Sequence, residues 1–213
     1  MTLTTLDETT LAHGVQALIT LDPDLAVIHD RLGIPPLWAR EPGFPTLVHI
    51  ILEQQVSLAS ARAAFDKLCA EVKPLTPTGV LALDDETLKR VGFSRQKTVY
   101  ARHLANAIIT GALDVDGLAA LPDEAVRKQL IALKGIGPWS AEIYLLMALC
   151  RVDAWPAGDL ALQVAAQAIK GLPARPDPVM LHEIAETWRP WRAVAARLLW
   201  HHYLNKPTSP PIK

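Results

Sequence analysis

Apolar residues recur every three or four positions through most of this chain, and nowhere do they alternate with polar ones over a strand's length. That period belongs to amphipathic helices, and the dominance of Ala and Leu with helix-starting Asp, Thr and Pro agrees with it. Leu11, Val15, Leu18 and Ile19 mark a first helix, and Asp22-Pro23-Asp24 starts a second. Gly33-Ile34-Pro35-Pro36 breaks the chain, and Trp38 with the turn at 41–45 marks a crossing into a new segment. Residues 46–72 read as one long amphipathic helix whose apolar stripe is interrupted by Gln54 and Gln55. Short helices follow over 76–134, separated by Asp84-Asp85, Gly92, Gly111 and Pro122, with a longer one over 98–109. The expectation is an all-α fold of two helical lobes with an intervening cleft. Residues 1–36 would pack with a C-terminal lobe of 135–204, residues 37–134 would form the middle lobe, and 205–213 would be a Pro-rich tail.

The densest turn chemistry lies at Leu133-Lys134-Gly135-Ile136-Gly137-Pro138-Trp139-Ser140, between apolar helical runs over 125–133 and 139–149. Gly135 and Gly137 allow positive φ and close approach of another backbone. Ile136 between them can plug the gap between the two helices. Pro138 lacks an N–H and has its φ set for a first helical turn, so the second helix is expected to start there. Amides at the positive end of a helix form an anion site, and a nucleic-acid phosphate fits it. The stretch therefore reads as a helix-hairpin-helix that grips a nucleic-acid backbone without reading its sequence. Taken alone, a Gly-x-Gly turn serves helix packing as often as phosphate.

Charge complicates that reading. The 213 residues carry a formal net charge of −1, against the basic signature of a strong non-specific DNA binder. A few phosphates held by helix-end amides and a local group of cations remain compatible with it; the candidates are Arg95, Lys97, Arg102, Lys134, Arg189 and Arg192. Half of the residues are hydrophobic, yet no run reaches the about 18 apolar residues of a membrane span. With no basic or apolar leader at the N-terminus, a cytoplasmic protein is expected, nucleoid-associated if bacterial. Cys69 and Cys150 are too few for a disulfide framework or a four-thiolate cluster.

After the second hairpin helix, Trp155-Pro156-Ala157-Gly158-Asp159-Leu160 delivers a carboxylate at the start of a new apolar helix. Farther on stands Thr187-Trp188-Arg189-Pro190-Trp191-Arg192-Ala193, followed by a helix through Leu198, Leu199, Trp200 and Tyr203. Hairpin, Asp159 and this segment together resemble the helix-hairpin-helix (HhH-GPD) DNA glycosylases, most closely the AlkA-type 3-methyladenine DNA glycosylase II group. The resemblance covers roughly residue 37 onward and implies the glycosylase fold, here without the N-terminal β lobe. It implies that Asp159 is the catalytic carboxylate, with Trp139, Trp200, Ile143 and Tyr144 around the base. Ile143 stands where some members have a pocket tyrosine, and Tyr144 is one position away. Gln54, Gln55 and Ser57 match a minor-groove segment in which Gln55 occupies the wedge position, although it is polar where several relatives place an apolar side chain. Lys134, Gly135, Gly137, Trp139 and Ser140 match the DNA-contacting hairpin. Backbone carbonyls of Ile131, Leu133 and Ile136 match a monovalent-ion site for Na+ or K+. No cofactor is required, and an iron–sulfur cluster is not expected.

The implied chemistry is removal of alkylated bases of the 3-methyladenine and 7-methylguanine type from double-stranded DNA by a monomer. Trp139 sits where bifunctional members carry a lysine, and an indole cannot form a Schiff base, so no strand cleavage is expected. The flat face of Trp200 attracts a cationic ring, and alkylation at N3 of adenine or N7 of guanine supplies one. Asp159 can also be read as an ordinary helix cap, and Trp188 and Trp191 as core anchors. The alternative function is a non-catalytic helix-hairpin-helix module that binds damaged DNA.

Overall fold

The computed structural model describes residues 5–205, so the tail expected over 205–213 lies almost wholly outside the described residues. Helices α1 (Glu8–Leu21), α2 (Pro23–Leu32), α3 (Phe44–Glu53), α4 (Leu58–Glu71), α5 (Pro77–Ala82), α6 (Asp85–Val91) and α7 (Arg95–Ile109) occupy the first half. A 3₁₀ turn, Gly117–Ala120, precedes α8 (Asp123–Ile131) and α9 (Pro138–Ile143); α9 widens into a π turn, Tyr144–Ala148. Helices α10 (Leu160–Ile169), α11 (Pro178–Glu186) and α12 (Arg192–Leu204) complete the fold. Among the described residues there is no strand, only an isolated bridge between Thr5 and Arg151.

The chain divides into a terminal unit, 5–38 with 150–205, and a middle unit, 39–149. In the terminal unit α12 is central: every residue from Arg192 to Trp200 is buried, and α1, α2, α10 and α11 pack around it. A helix buried all round must be covered on every side, which the amphipathic faces of its neighbours supply. Trp188 anchors this core, its indole N–H donating to Asp22 Oδ2 at 2.7 Å. Asp22 is also the N-cap of α2 and pairs with Lys170 at 2.6 Å.

The middle unit repeats the plan around α3, in which Leu47, Val48, Ile50, Ile51 and Leu52 are all buried and His49 is the one polar residue between them. Helices α4, α7 and α9 pack against it. The single helix expected over 46–72 is two. Gln54 ends α3 in an extended conformation, Gln55 adopts φ +57°, and Ser57 restarts the chain by accepting the Ser60 N–H at 3.2 Å. The physical cause is a change of environment, since α3 is enclosed whereas α4 buries only Ala61, Ala64 and Leu68.

Grouping by contacts also differs from the expected lobes. Residues 135–149 belong with the middle unit, because α9 packs on α8 and α3. Residues 37 and 38 go with the terminal unit, where Arg197 Nε donates to Leu37 O at 2.7 Å.

Candidate active site and nucleic-acid hairpin

Asp159 is the N-cap of α10, at φ −74° and ψ 122°. Its Oδ1 accepts the Leu162 N–H at 3.0 Å and the Trp200 indole N–H at 3.1 Å. A cap needs only the first of these. The second fixes the carboxylate against an aromatic ring, and Asp159 remains half-buried while Trp200 is 7% exposed. Behind the loop, Gln163 donates to Ala157 O at 3.3 Å. The other nearby carboxylate in sequence, Asp153, is consumed: Arg192 Nε and Nη2 donate to its two oxygens at 2.8 and 2.9 Å, and Arg189 adds a further bond. A carboxylate neutralised by two guanidiniums offers little charge to anything else.

In the middle unit the hairpin turn is built by Gly135, at φ +94°, where a Cβ would run into the ring of Tyr100. Gly137 departs from expectation. It is extended, at φ −97° and ψ −179°, and a Cβ there would meet nothing. Its backbone therefore does not demand glycine, and it caps α9 with no side chain. Ile136 is buried at 4% exposure, as a plug must be, and Pro138 is the first residue of α9. Lys134 is exposed and Trp139 half-buried.

Gln54 does not face outward. Its Nε2 donates to Gly135 O at 2.8 Å and to Ser140 Oγ at 3.0 Å, bracing the hairpin against the end of α3. Ser57 is spent on capping α4. Gln55, by contrast, is exposed in a left-handed backbone that thrusts it from the loop. Tyr144 is fully buried, and its hydroxyl accepts the Gly43 N–H at 3.0 Å; Ile143 is 2% exposed. Both are buried in the middle unit, Ile143 as the last residue of α9 and Tyr144 as the first of the π turn.

Four of the six candidate cations are engaged within the protein. Lys97 Nζ donates to Leu52 O at 2.7 Å, closing the C-terminal end of α3, and burial pushes its ammonium down. Arg102 pairs with Asp85 at 2.6 Å, and Arg189 and Arg192 hold Asp153. Arg95 and Lys134 are exposed without an ion pair among the described residues.

The sequence model of the HhH-GPD superfamily base excision DNA repair proteins matches residues 48–190, from α3 through the hairpin and Asp159 to the Trp-Arg-Pro segment. The chain belongs to this family. An HhH-GPD relative from Mycobacterium tuberculosis, a probable bifunctional transcriptional activator/DNA repair enzyme AlkA, is 32% identical over 208 residues. That match takes in 86% of this chain but 40% of the relative, so the chain spans less than half of that protein's length. Escherichia coli DNA-3-methyladenine glycosylase 2 is 30% identical over 192 residues, covering 80% of this chain and 63% of its own. Among solved structures, the Schizosaccharomyces pombe 3-methyladenine DNA glycosylase Mag1 in complex with abasic DNA superposes with a TM-score of 0.86 at 26% identity. The superposition covers 92% of this chain and all of that one.

For an HhH-GPD hairpin, the implied monovalent-ion site consists of the carbonyls of Ile131, Leu133 and Ile136. Neutral backbone oxygens are a donor type that a hard cation takes. Leu133 O accepts the Ile136 N–H at 3.1 Å, which leaves it a second lone pair. Among the described residues no group of three or more His, Cys, Asp or Glu is placed to hold a metal. No helix among them is long and apolar enough to cross a membrane.

Sequence reasoning missed the contributions of Trp38 and Arg197. The signal for Arg197 was visible, a lone cation in the apolar run Ala193-Val194-Ala195-Ala196-Arg197-Leu198-Leu199-Trp200. Trp38 carried none beyond its place after two prolines.

Proposed function

We propose that this protein is a monofunctional DNA glycosylase that excises alkylated bases of the 3-methyladenine and 7-methylguanine type from double-stranded DNA. The observation that carries the reading is Asp159, held by the indole of Trp200 while Asp153 is neutralised by two arginines. The names of the relatives and the TM-score of the DNA-bound yeast neighbour support it.

A base must leave the stack before its glycosidic bond can be reached. An alkylated purine is already cationic and departs with the bonding electron pair, leaving an oxocarbenium ion on the sugar. A preorganised carboxylate stabilises that charge at no cost in reorganisation, which is the role of Asp159. Water then adds to the anomeric carbon and loses its proton to the Asp159 carboxylate. Trp200 offers its π face to the cationic base. The hairpin at Gly135 to Ser140, with Lys134, holds backbone phosphate, and Gln55 fills the place of the extruded nucleotide. The hairpin carbonyls would hold Na+ or K+, which adds positive charge beside that phosphate. With Trp139 in place of an amine, the reaction stops at base removal. The protein acts as a monomer.

The test is incubation with methylated duplex DNA, with freed bases identified by mass. Release of 3-methyladenine and 7-methylguanine is expected, and borohydride should trap no protein–DNA adduct. DNA binding with no released base would replace the enzyme by a damage-binding module.

A further inference from the structure

Trp38 has a backbone that a bulky residue avoids, φ +49°, where its Cβ crowds a carbonyl oxygen. Such a conformation persists only where its surroundings over-determine it. Here the peptide just before it is clamped: Arg197, fully buried on α12, donates from Nε to Leu37 O at 2.7 Å and from Nη1 to Ala193 O at 2.9 Å. Burial holds the Arg197 guanidinium down at about 10, which still leaves it charged at neutral pH. A buried charge is costly unless its hydrogen bonds are made, and here one of them goes to the loop carbonyl that precedes Trp38.

The clamp sets the Trp38 indole on α12. Its ring lies edge-on to Trp200, with centroids 6.4 Å apart at 72°, and edge-on to His201, at 6.3 Å and 87°. Arg197, Trp200 and His201 stand at i, i+3 and i+4, one face of the helix, so a single face grips both the carbonyl and the ring. Trp38 is half-buried, and a merely packed indole would gain more by full enclosure. What it gains instead is contact with Trp200, whose N–H holds Asp159.

We propose that Trp38 is a positioning residue: locked by Arg197, it fixes the plane of the Trp200 indole and, through the indole N–H, the carboxylate of Asp159. The inference rests on the glycosylase reading for its kinetic consequence. Fixing that plane keeps the π face available to a cationic purine, so Trp38 governs the preference for alkylated over neutral deaminated bases.

The test compares wild type, Trp38→Leu and Trp38→Phe by single-turnover release of 7-methylguanine and hypoxanthine, by affinity for abasic-site duplex, and by the ¹H–¹⁵N signal of the Trp200 indole, assigned with Trp200→Phe. For Trp38→Leu, release of 7-methylguanine is expected to fall roughly tenfold or more, as small misplacements of catalytic groups do. Its preference over hypoxanthine should narrow, abasic-duplex affinity should stay within about twofold of wild type, and the Trp200 signal should move. Trp38→Phe, which keeps an aromatic edge, should recover most of the rate and selectivity. Unchanged selectivity with an unmoved Trp200 signal overturns the proposal, as does a parallel loss of rate and affinity that Trp38→Phe does not rescue. Wild-type protein that releases no base sinks the glycosylase reading instead, and the indole signal then decides the positioning role by itself. Where Trp38→Leu fails to fold, Trp38→Met, which also removes the aromatic edge, takes its place, and an unmoved Trp200 signal with unchanged selectivity in that variant overturns the proposal.

Discussion

Trp200 and Asp159 are joined by a hydrogen bond of 3.1 Å from indole N–H to carboxylate, on the same oxygen that caps α10. Cap and proposed charge stabiliser are thus one group, and the two roles separate under substitution. Asn caps a helix about as well as Asp and accepts the same N–H, but carries no charge. Asp159→Asn is expected to shift stability by less than about 0.5 kcal/mol, by thermal melt. Release of 7-methylguanine should fall roughly a hundredfold or more, with affinity for abasic DNA retained.

The two adjacent glutamines should respond in opposite ways. Gln54→Leu removes the donor to Gly135 O and Ser140 Oγ, and Ser140 is 2% exposed. A loss of about 1–3 kcal/mol in denaturant unfolding is expected, with weaker DNA binding. Gln55→Gly relieves a left-handed backbone and should stabilise by about 1 kcal/mol. The same variant should slow base release, since nothing would fill the gap in the duplex. A destabilised Gln55→Gly would contradict the strain argument.

The hairpin glycines make a second contrast. Gly135→Ala pairs a positive φ with a collision against Tyr100, and a loss of about 2 kcal/mol or more is expected. Gly137→Ala meets open space and should fold with a melting temperature close to wild type. Its added methyl group stands at the start of α9, where phosphate is proposed to approach. DNA affinity should therefore drop for Gly137→Ala without loss of fold, measured by fluorescence anisotropy.

Acid should weaken the terminal unit through Asp22. Burial alone would raise its carboxyl, but the hydrogen bonds from Lys170 and Trp188 outweigh it and hold the group below its ordinary 3.8. The unfolded chain then takes up a proton near pH 4 that the native chain refuses, so stability rises with pH there. The contribution is fully present above about pH 5 and is lost as pH falls through the lowered native value. Asp22→Asn should flatten the acid limb of melting temperature against pH. An unchanged limb would place the acid sensitivity elsewhere.

The helical period, the Asp22-Pro23 start of α2, the Pro138 start of α9 and Asp159 at the head of α10 were all legible in the chain, because caps, proline and apolar spacing act within a few residues. The family motifs marked the hairpin and the carboxylate for the same reason, being contiguous. Tertiary structure decided what each polar group does once distant segments meet. Gln54 matches a DNA-facing segment in the chain, and only the fold brings Gly135 O and Ser140 Oγ to accept its hydrogens; likewise only the fold closes Arg189 and Arg192 on Asp153. Only the fold buries Tyr144 and brings the Gly43 N–H to donate to its hydroxyl oxygen. Local spacing specifies where a helix begins and which face is apolar, but hydrogen-bond partners remote in sequence are chosen only by the packed fold, and those partners separate a brace from a contact.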